Sequence, residues 1–296
     1  MPSASPASLP QSSVSQVPSS PSESCRPRRR NGRSSLTTEG GGARSGRVGA
    51  KVVVVPALQR FSTDTQWLTS RHSFSFGQHY DPLNTHFGHL LVSNDDVVAP
   101  GTGFDTHPHR DMEIVTWVLS GSLVHQDSAG NSGVIYPGLA QRMSAGRGIH
   151  HSEKNDSWRI DGHEHAEPVH FVQMWVAPEQ RGIEPSYQHL DISNELDGGE
   201  LVVVASGLPK HADVRAIALR QRGAGLLAGR LPAGRRSQLP DARFLHVFVA
   251  RGQIQLESGQ ILLTGDAARI TDAGQLSIVA GEPGAEVLVW EMHSSL

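Results

Sequence analysis

Two short pairs of residues in this chain have side chains that bind transition metals. His107 and His109 flank a proline, and His151 and Glu153 flank a serine further along the chain. Both pairs lie in segments typical of β-strands, where residues at positions i and i+2 project from the same face. If the two strands lie side by side, three imidazoles and one carboxylate converge on one point. The spacing therefore predicts a site for one first-row transition metal, with one or two coordination positions open for water, substrate or dioxygen.

The ligand types restrict the chemistry without selecting the metal. Neutral imidazoles and a carboxylate suit Fe(II), and they also suit Mn, Ni, Co, Cu and Zn. With an open position, such a metal can polarise a chelating enol or hydroxyketone and can bind dioxygen. The sequence shows no Ser or Cys nucleophile beside an evident base and no phosphate-binding GxxxxGK[ST] loop. A metal-centred function is therefore the first hypothesis.

The composition argues against several other classes of function. The formal net charge is −3 over 296 residues, which favours neither nucleic acid nor a membrane surface as a partner. No apolar run approaches the roughly 18 residues that a transmembrane helix needs. Cys25 is the single cysteine, so no intramolecular disulfide can form, as is typical of proteins in a reducing compartment. We therefore expect a cytoplasmic protein.

Residues 1–50 differ from the rest of the chain. They contain 13 Ser, 6 Pro, 6 Gly and 7 Arg but only two acidic residues, and they carry a formal charge of +5. Such a segment buries too little apolar surface to offset chain entropy, so we expect a disordered leader. An organelle transit peptide, a basic localisation patch at residues 26–30, a dispensable tail and a start codon assigned too early are the alternative interpretations.

The remaining sequence predicts an all-β protein with two domains. Short apolar runs alternate with turn residues, a pattern typical of sandwiches and barrels, and the chain contains 31 Gly and 18 Pro. A polar stretch at residues 178–200 separates two series of predicted strands. We predict an N-terminal metal-binding domain at residues 51–182 and a C-terminal domain at residues 183–296. Within the first domain, the strand at residues 88–93 is predicted to end in a turn at residues 94–96.

The sequence around the two pairs resembles a known family. The segment from Gly101 to Glu113 resembles the first signature of the cupin superfamily, with one residue more before the next glycine. Residues 104–113 (FDTHPHRDME) and 143–153 (MSAGRGIHHSE) closely resemble the pirin family of two-barrel cupins. Residues 71–76 (RHSFSF) resemble its bacterial, quercetin 2,3-dioxygenase-like branch. The likeness extends over about residues 60–296 and leaves out the leader.

The resemblance carries expectations for the fold and the site. It implies two tandem jelly-roll barrels, a bicupin, with a metal in the first barrel and none in the second, where His246 is the only candidate ligand. It implies that Glu113 contacts the metal ligands and does not bind the metal itself. It makes the two pairs the ligands of one divalent metal, usually iron in this family: His107, His109, His151 and Glu153.

Other histidines are weaker candidates for a role at the metal. His125 lies on a strand beside the predicted site and is a candidate for contact with a metal ligand. His150 is expected to point away from the site, because it alternates with His151 along the strand. The cluster His163-Glu164-His165 looks like a further pair, but it lies in a polar loop and is expected to be solvated.

The resemblance implies an oxygenase as the leading hypothesis. Some bacterial pirins resemble quercetin 2,3-dioxygenases, which open a flavonol ring with dioxygen and release carbon monoxide. The substrates would be dioxygen and a flavonol-like aromatic held in a mostly apolar barrel, with Glu153 accepting the proton of the substrate hydroxyl. An iron-dependent redox sensor or protein-binding regulator without enzymatic activity is the alternative, and metal-assisted isomerase chemistry is a third possibility. A monomer is expected, because two barrels can cover each other's exposed sheets.

Overall fold

The computed structural model describes residues 49–161 and 166–296. Nearly all of the predicted leader and all of His163, Glu164 and His165 lie outside the described residues, so those expectations stay predictions. Regular structure in the described part is almost entirely β-strand, which confirms the all-β prediction. No helix among the described residues is both long and apolar enough to cross a membrane.

The strands are numbered here in chain order. The first twelve are β1 (Lys51–Val55), β2 (Phe61–Asp64), β3 (Leu68–His72), β4 (Leu90–Val98), β5 (Gly103–His109), β6 (Glu113–Ser120), β7 (Leu123–Asp127), β8 (Ser132–Ile135), β9 (Leu139–Ser144), β10 (Ile149–Lys154), β11 (Val169–Val176) and β12 (Ser186–Asp191). The others are β13 (Val202–Ser206), β14 (Ile217–Ala218), β15 (Ala224–Leu231), β16 (Arg236–Gln238), β17 (Phe244–Leu256), β18 (Ile261–Leu263), β19 (Ala267–Thr271) and β20 (Ser277–Met292). Short helical segments are Ala57–Gln59, α1 (Trp158–Asp161), α2 (Ser193–Leu196) and Pro209–His211.

Two antiparallel sheets form the first barrel. In the part that the structure describes, one sheet has the strand order β12-β9-β6-β11-β4-β3-β2 and the other has the order β5-β10-β7-β8. Because alternate residues of a strand face the same side, each sheet turns one set of side chains inward. Val98, Val118 and Phe171 of the larger sheet pack there against Leu123 and Ile135 of the smaller sheet. This apolar cluster joins the two sheets.

A single larger sheet forms the second barrel. Its order is β1-β19-β17-β20-β15-β13-β14, and β16 and β18 pair with the long strands β20 and β17. Register shifts in β17 at Val249–Arg251 and Gly252–Ile254 are irregularities of the kind that bend a strand. The sheet folds over its own apolar core, which contains Leu245, Val247 and Val287. The chain therefore has the two tandem barrels that the sequence predicted.

The two barrels exchange strands. Strand β1 pairs with β19 in the second barrel, and strand β12 pairs with β9 in the first. The predicted boundary lies between residues 182 and 183. Strand β1 precedes it but pairs in the second barrel, and β12 follows it but pairs in the first. The domain limits of 51–182 and 183–296 stay a prediction.

A shared core joins the barrels. Strands β6 and β11 are buried almost throughout, because one face lines the first barrel and the other packs against the second. Trp117 and Met174 of the first barrel pack with Leu288 and Trp290 of the second. The indole N–H of Trp117 also donates a hydrogen bond of 2.8 Å to Glu286 across this interface. Burial of both faces explains why these strands are apolar at most positions.

The turn predicted at residues 94–96 is wrong, because β4 continues through them to Val98. Three adjacent polar residues are typical of a turn, but here each side chain has a hydrogen-bond partner. A strand tolerates polar side chains when their hydrogen bonds are satisfied. The partners are His72 for Asn94, Arg60 and His170 for Asp95, and Ser70 for Asp96.

Candidate metal centre

The two predicted pairs lie on neighbouring strands of the smaller sheet. Strands β5 and β10 run antiparallel, with His151 directly opposite His107. Opposite residues of an antiparallel pair project from the same face, so the imidazoles of His107, His109 and His151 meet on one side of the sheet. A shift in register beyond His151 then places Glu153 opposite Phe104.

Gly103 permits this close pairing at the start of β5. Its φ is 149°, and a Cβ atom there would lie 2.2 Å from the carbonyl oxygen of Glu153. Any side chain at this position would therefore push the backbone of β5 away from that of Glu153. The glycine helps to keep the two ligand-bearing strands in contact.

The side chains of His107, His109 and His151 form a tight cluster. One donor nitrogen of each lies within 4.8 Å of the other two, and the ring centroids are 4.5–4.9 Å apart. Nδ1 of His107 lies 2.7 Å from the carbonyl oxygen of Asp105. Because a carbonyl can only accept a hydrogen bond, Nδ1 carries the proton and Nε2 of His107 keeps its lone pair.

Two of these rings have a buried nitrogen without a partner. Nε2 of His109 and Nε2 of His151 make no hydrogen bond within the described residues. Burial, and after it the neighbouring imidazoles, lowers the pKa of His109 to about 3 and that of His151 to about 2. Both rings are therefore neutral at pH 7, the form in which imidazole binds metals. An unpaired buried nitrogen is costly, so the donors present fit a transition metal that would satisfy both atoms.

Glu153 lies beside His151 but, among the described residues, is not in the donor group of His107, His109 and His151. Its carboxylate is buried, and Oε2 accepts a hydrogen bond of 2.7 Å from the amide of Gln173. Oε1 accepts a longer one of 3.4 Å from the hydroxyl of Thr116. Among the described residues, Glu153 shares a second group of close donor atoms with His151 and His125. His151 belongs to both groups and therefore links the carboxylate to the other histidines.

An aromatic wall stands beside the histidines. The ring of Trp175 meets that of His109 edge to face at 4.8 Å, and Phe76 meets Trp175 in the same way at 5.6 Å. Trp175 was not predicted from the sequence, and neither were Gln173 and Thr116, which donate hydrogen bonds to Glu153. A signal was present, because Thr116 and Gln173 are polar residues within otherwise apolar strands, where a side chain must find a buried partner.

The interior of the first barrel is less apolar than expected. On strands of the larger sheet, polar residues lie between apolar residues of the same face, so a polar layer separates two apolar clusters. One of these clusters contains Trp175 and therefore adjoins the histidines. The polar layer consists of Asn94 and Asp96 on β4, Thr116 on β6, Gln141 on β9 and Gln173 on β11.

His125 lies beside the candidate ligands, as the sequence suggested. The residue is completely buried, and its Nδ1 is 3.4 Å from Nδ1 of His151. His150 is exposed on the opposite face of β10, in agreement with the alternation of the strand.

The expectation for Glu113 is wrong. Its side chain is completely buried, but it accepts hydrogen bonds from the hydroxyl of Ser144 and from the backbone N–H of Arg220, the latter at 2.7 Å. Glu113 shares its face of β6 with Trp117, which packs against the second barrel, whereas Thr116 faces the interior of the first. Glu113 therefore joins the two barrels instead of supporting the metal ligands.

Comparison with known proteins agrees with this arrangement. Residues 54–176 match the Pirin family model, and residues 204–292 match the model of the quercetinase C-terminal cupin domain. A protein of Mycobacterium tuberculosis, provisionally named quercetin 2,3-dioxygenase, is 58% identical over 247 residues, which cover 83% of this chain and 97% of that protein. The quercetin 2,3-dioxygenase of Escherichia coli O157:H7 is 35% identical over 247 residues, which cover 80% of this chain and 96% of that enzyme.

Solved structures show the same fold. The crystal structure of the bacterial pirin YhhW from Escherichia coli, in complex with nickel(II), matches with a TM-score of 0.71 at 34% identity. The match covers 83% of this chain and 100% of YhhW. Two tandem antiparallel barrels with clustered histidine donors in the first define the protein as a bicupin. The chain belongs to the pirin family.

Proposed function

We propose that this protein is a metal-dependent dioxygenase that opens flavonols such as quercetin at one metal centre in the first barrel. The observation that carries the proposal is the cluster of three histidines, two of which have a buried nitrogen with no hydrogen-bond partner among the described residues. Relatives named for quercetin 2,3-dioxygenase activity support the choice of substrate. The ligands would be His107, His109, His151 and Glu153.

The metal would be a single divalent transition ion. Fe(II) is our first assignment, from the family resemblance, and the nickel(II) complex of a relative supports a site that accepts several such ions. When bound, the metal would supply Lewis-acid chemistry and a centre for dioxygen. Because the pKa values of His109 and His151 are low, both rings are neutral, and no second proton competes with the ion for the donor nitrogen. We expect the protein to act as a cytoplasmic monomer.

The side chains of this chain would bind the flavonol and take its proton. Trp175, whose ring meets that of His109, and Phe76, whose ring meets that of Trp175, would provide the aromatic contacts for a flat substrate. The carboxylate of Glu153 would accept the proton of the substrate hydroxyl, which makes the flavonol electron-rich enough to react with dioxygen. The hydrogen bond from Gln173 holds that carboxylate in place during the transfer. The products would be a ring-opened ester and carbon monoxide.

The test is the loss of quercetin absorbance in air by the metal-loaded protein, with carbon monoxide measured alongside. We expect His109→Ala to abolish turnover and Glu153→Gln to lower kcat about 100-fold or more, the usual range for a lost general base. Metal content is measured in each variant, so that loss of the ion is distinguished from loss of the base. His150→Ala, which changes an exposed neighbour of His151, is the control and should retain full activity. Metal-loaded wild-type protein that leaves quercetin intact would refute the proposal.

A second candidate function is an iron-dependent redox sensor or protein-binding regulator without enzymatic activity. One observation favours it: adjacent residues of β6 face the site and the interface between the barrels. Thr116 contacts Glu153, and Trp117 donates a hydrogen bond to Glu286 of the second barrel. A change at the metal would thus act on a strand that both barrels share. Bound metal without turnover, together with a hydrogen-exchange difference in β6 between the reduced and oxidised protein, would favour this function.

A further inference from the structure

Two more buried side chains, those of His125 and Asp127, lie next to His151 and lead away from the candidate metal ligands. His151 lies directly opposite Asp127 on β7, and Glu153 lies opposite His125. Nδ1 of His125 is 3.4 Å from Nδ1 of His151, and Nε2 of His125 is 3.4 Å from Oδ2 of Asp127. The side chains of His125 and Asp127 are both completely buried. The proposed reaction uses neither residue.

Asp127 is fixed as a hydrogen-bond acceptor by the loop that follows it. Its Oδ1 accepts from the backbone N–H groups of Ala129 at 2.9 Å and Asn131 at 3.0 Å. The amide of Asn131 also donates to Oδ1 at 3.1 Å and to Oδ2 at 2.8 Å. Burial raises the pKa of Asp127, but the hydrogen bonds from Asn131 and His125 outweigh it, and the net pKa is lowered. The carboxylate is therefore ionised at pH 7 and can only accept.

This acceptor determines where the protons of the two histidines lie. An ionised carboxylate facing Nε2 of His125 requires a proton on that nitrogen. An imidazole with its single proton on Nε2 has Nδ1 as its acceptor, so Nδ1 of His125 would then accept from His151. Nδ1 of His151, which faces it, must donate, and Nε2 of His151 is left with its lone pair. That same Nε2 is one of the two buried nitrogens of the donor cluster with no partner in the described part of the chain.

We propose that Asp127 and His125 are positioning residues that fix the tautomer and the ring orientation of His151, so that its Nε2 lone pair is presented to the metal. The value of this arrangement rests on the proposed metal site. The tautomers themselves exist in the metal-free protein and can be measured without any ion. Groups that hydrogen-bond to a metal-binding imidazole orient the ring and strengthen it as a ligand. Loss of such a group commonly lowers metal affinity about 10–100-fold.

The second donor group raises a competing arrangement, in which His125 is itself a ligand. The donor atoms of His125, His151 and Glu153 lie within 4.8 Å of one another. Coordination through Nδ1 of both histidines would leave Nε2 of His151 buried and unpaired, the outcome that proteins avoid. The unpaired nitrogen thus favours a supporting role for His125.

The tautomers can be measured by long-range ¹H–¹⁵N correlation NMR of the metal-free protein with ¹⁵N-labelled histidine. The signals are assigned with variants in which one histidine at a time is replaced. We expect the proton of His151 on Nδ1 and that of His125 on Nε2. In Asp127→Asn, the side-chain oxygen of the new asparagine should still accept from the loop N–H groups. Its amide nitrogen would then face His125. Both histidines should then exchange tautomers, which puts a proton on Nε2 of His151. Asp191→Asn is the matched control, because Asp191 also accepts from a backbone N–H, that of Ser193, but lies away from the histidines.

A competition titration with Ni(II) then measures the consequence, an affinity about 10–100-fold lower in Asp127→Asn than in Asp191→Asn. A proton on Nε2 of wild-type His151, two protons on His125, or tautomers that Asp127→Asn leaves unchanged would each overturn the proposal. If Asp127→Asn does not fold, the wild-type spectrum still decides the tautomers, and His125→Phe replaces it in the titration. Predicted tautomers in a protein that binds no metal would refute the proposed function and leave only the control of the His151 tautomer by Asp127 and His125 standing.

Discussion

The amide of Gln173 donates a hydrogen bond of 2.7 Å to Oε2 of Glu153 and cannot turn round to accept one instead. Its oxygen is occupied by the indole N–H of Trp175 at 2.9 Å, and an indole can only donate. The NH₂ group of Gln173 must therefore face the carboxylate. Trp175 in turn packs against His109, so one run of contacts joins the aromatic wall to the carboxylate.

Replacing Gln173 tests this arrangement. In Gln173→Leu, the buried carboxylate of Glu153 loses its shorter hydrogen bond and is free to rotate, so we expect metal affinity to fall about 10–100-fold. The measurement is a competition titration with Ni(II). Gln141→Leu is the control, because Gln141 is also buried in the polar layer but its side-chain oxygen has no partner among the described residues. Equal losses in the two variants would show that the effect is general to the barrel.

The placement of the two pairs on strands could be predicted from the sequence because a strand has a simple period. The i, i+2 spacing of His107 and His109 and of His151 and Glu153 forces each pair onto one face, and only the pairing of the two strands was left to the family resemblance. The all-β class followed in the same way from short apolar runs and frequent turns.

Residues whose role depends on contacts distant in sequence could not be predicted. The position of Asn94, Asp95 and Asp96 inside a strand depends on hydrogen-bond partners from three other segments. The role of Glu113 depends on a backbone N–H more than 100 residues away, at Arg220. A strand that is buried on both faces gives no alternation from which to infer which face meets the second barrel. Local pattern is silent on such pairings, which arise only when the barrels pack.

His246 should make the stability of the protein depend on pH. It is completely buried at the interface of the barrels beside Phe74, and neither ring nitrogen has a hydrogen-bond partner within the described residues. Burial lowers its pKa to about 3, against about 6.5 in an unfolded chain. Below pH 6.5 the unfolded state binds the proton first, so stability is lost as the pH falls from about 6.5 towards 3.

Urea unfolding at pH 7 and pH 5 measures this loss. His246→Leu removes the group, and we expect the variant to lose about 2 kcal/mol less than the wild type between the two pH values. His150→Leu, at an exposed position, should follow the wild type. A pH dependence in His246→Leu identical to that of the wild type would contradict the account of this residue.

Asp96 should have the opposite effect at higher pH. Burial raises its pKa to about 7, although the hydroxyl of Ser70 donates a hydrogen bond to it. The native state therefore holds the proton between about pH 4 and 7, where the unfolded state has released it, and stability falls as the pH rises through this window. Asp96→Asn keeps the acceptor oxygen for Ser70 and removes the buried charge.

We expect Asp96→Asn to be about 1–3 kcal/mol more stable than the wild type at pH 8, with a smaller difference at pH 5. Thermal unfolding at the two pH values provides the comparison, and Asp241→Asn, at an exposed position, serves as the control. A variant that is less stable than the wild type at pH 8 would mean that the charge of Asp96 is paired in the folded protein.

Glu113 should contribute to the attachment of the two barrels. Glu113→Ala would leave the backbone N–H of Arg220 and the hydroxyl of Ser144 without their acceptor in a buried interface. We expect a loss of about 2–4 kcal/mol in the free energy of unfolding, measured in urea. Glu195→Ala breaks an exposed ion pair with Arg215 and should cost less than about 1 kcal/mol. Similar losses in the two variants would argue against a bridging role for Glu113.

The most direct test of the central claim is the number of metal ions bound per chain after reconstitution with Fe(II) or Ni(II), measured by mass spectrometry of the elements. We expect one ion in the wild type and in His150→Ala, and far less than one in His107→Ala and His109→Ala. A wild-type protein that binds no ion, or histidine variants that bind as much as the wild type, would contradict a metal centre at His107, His109 and His151.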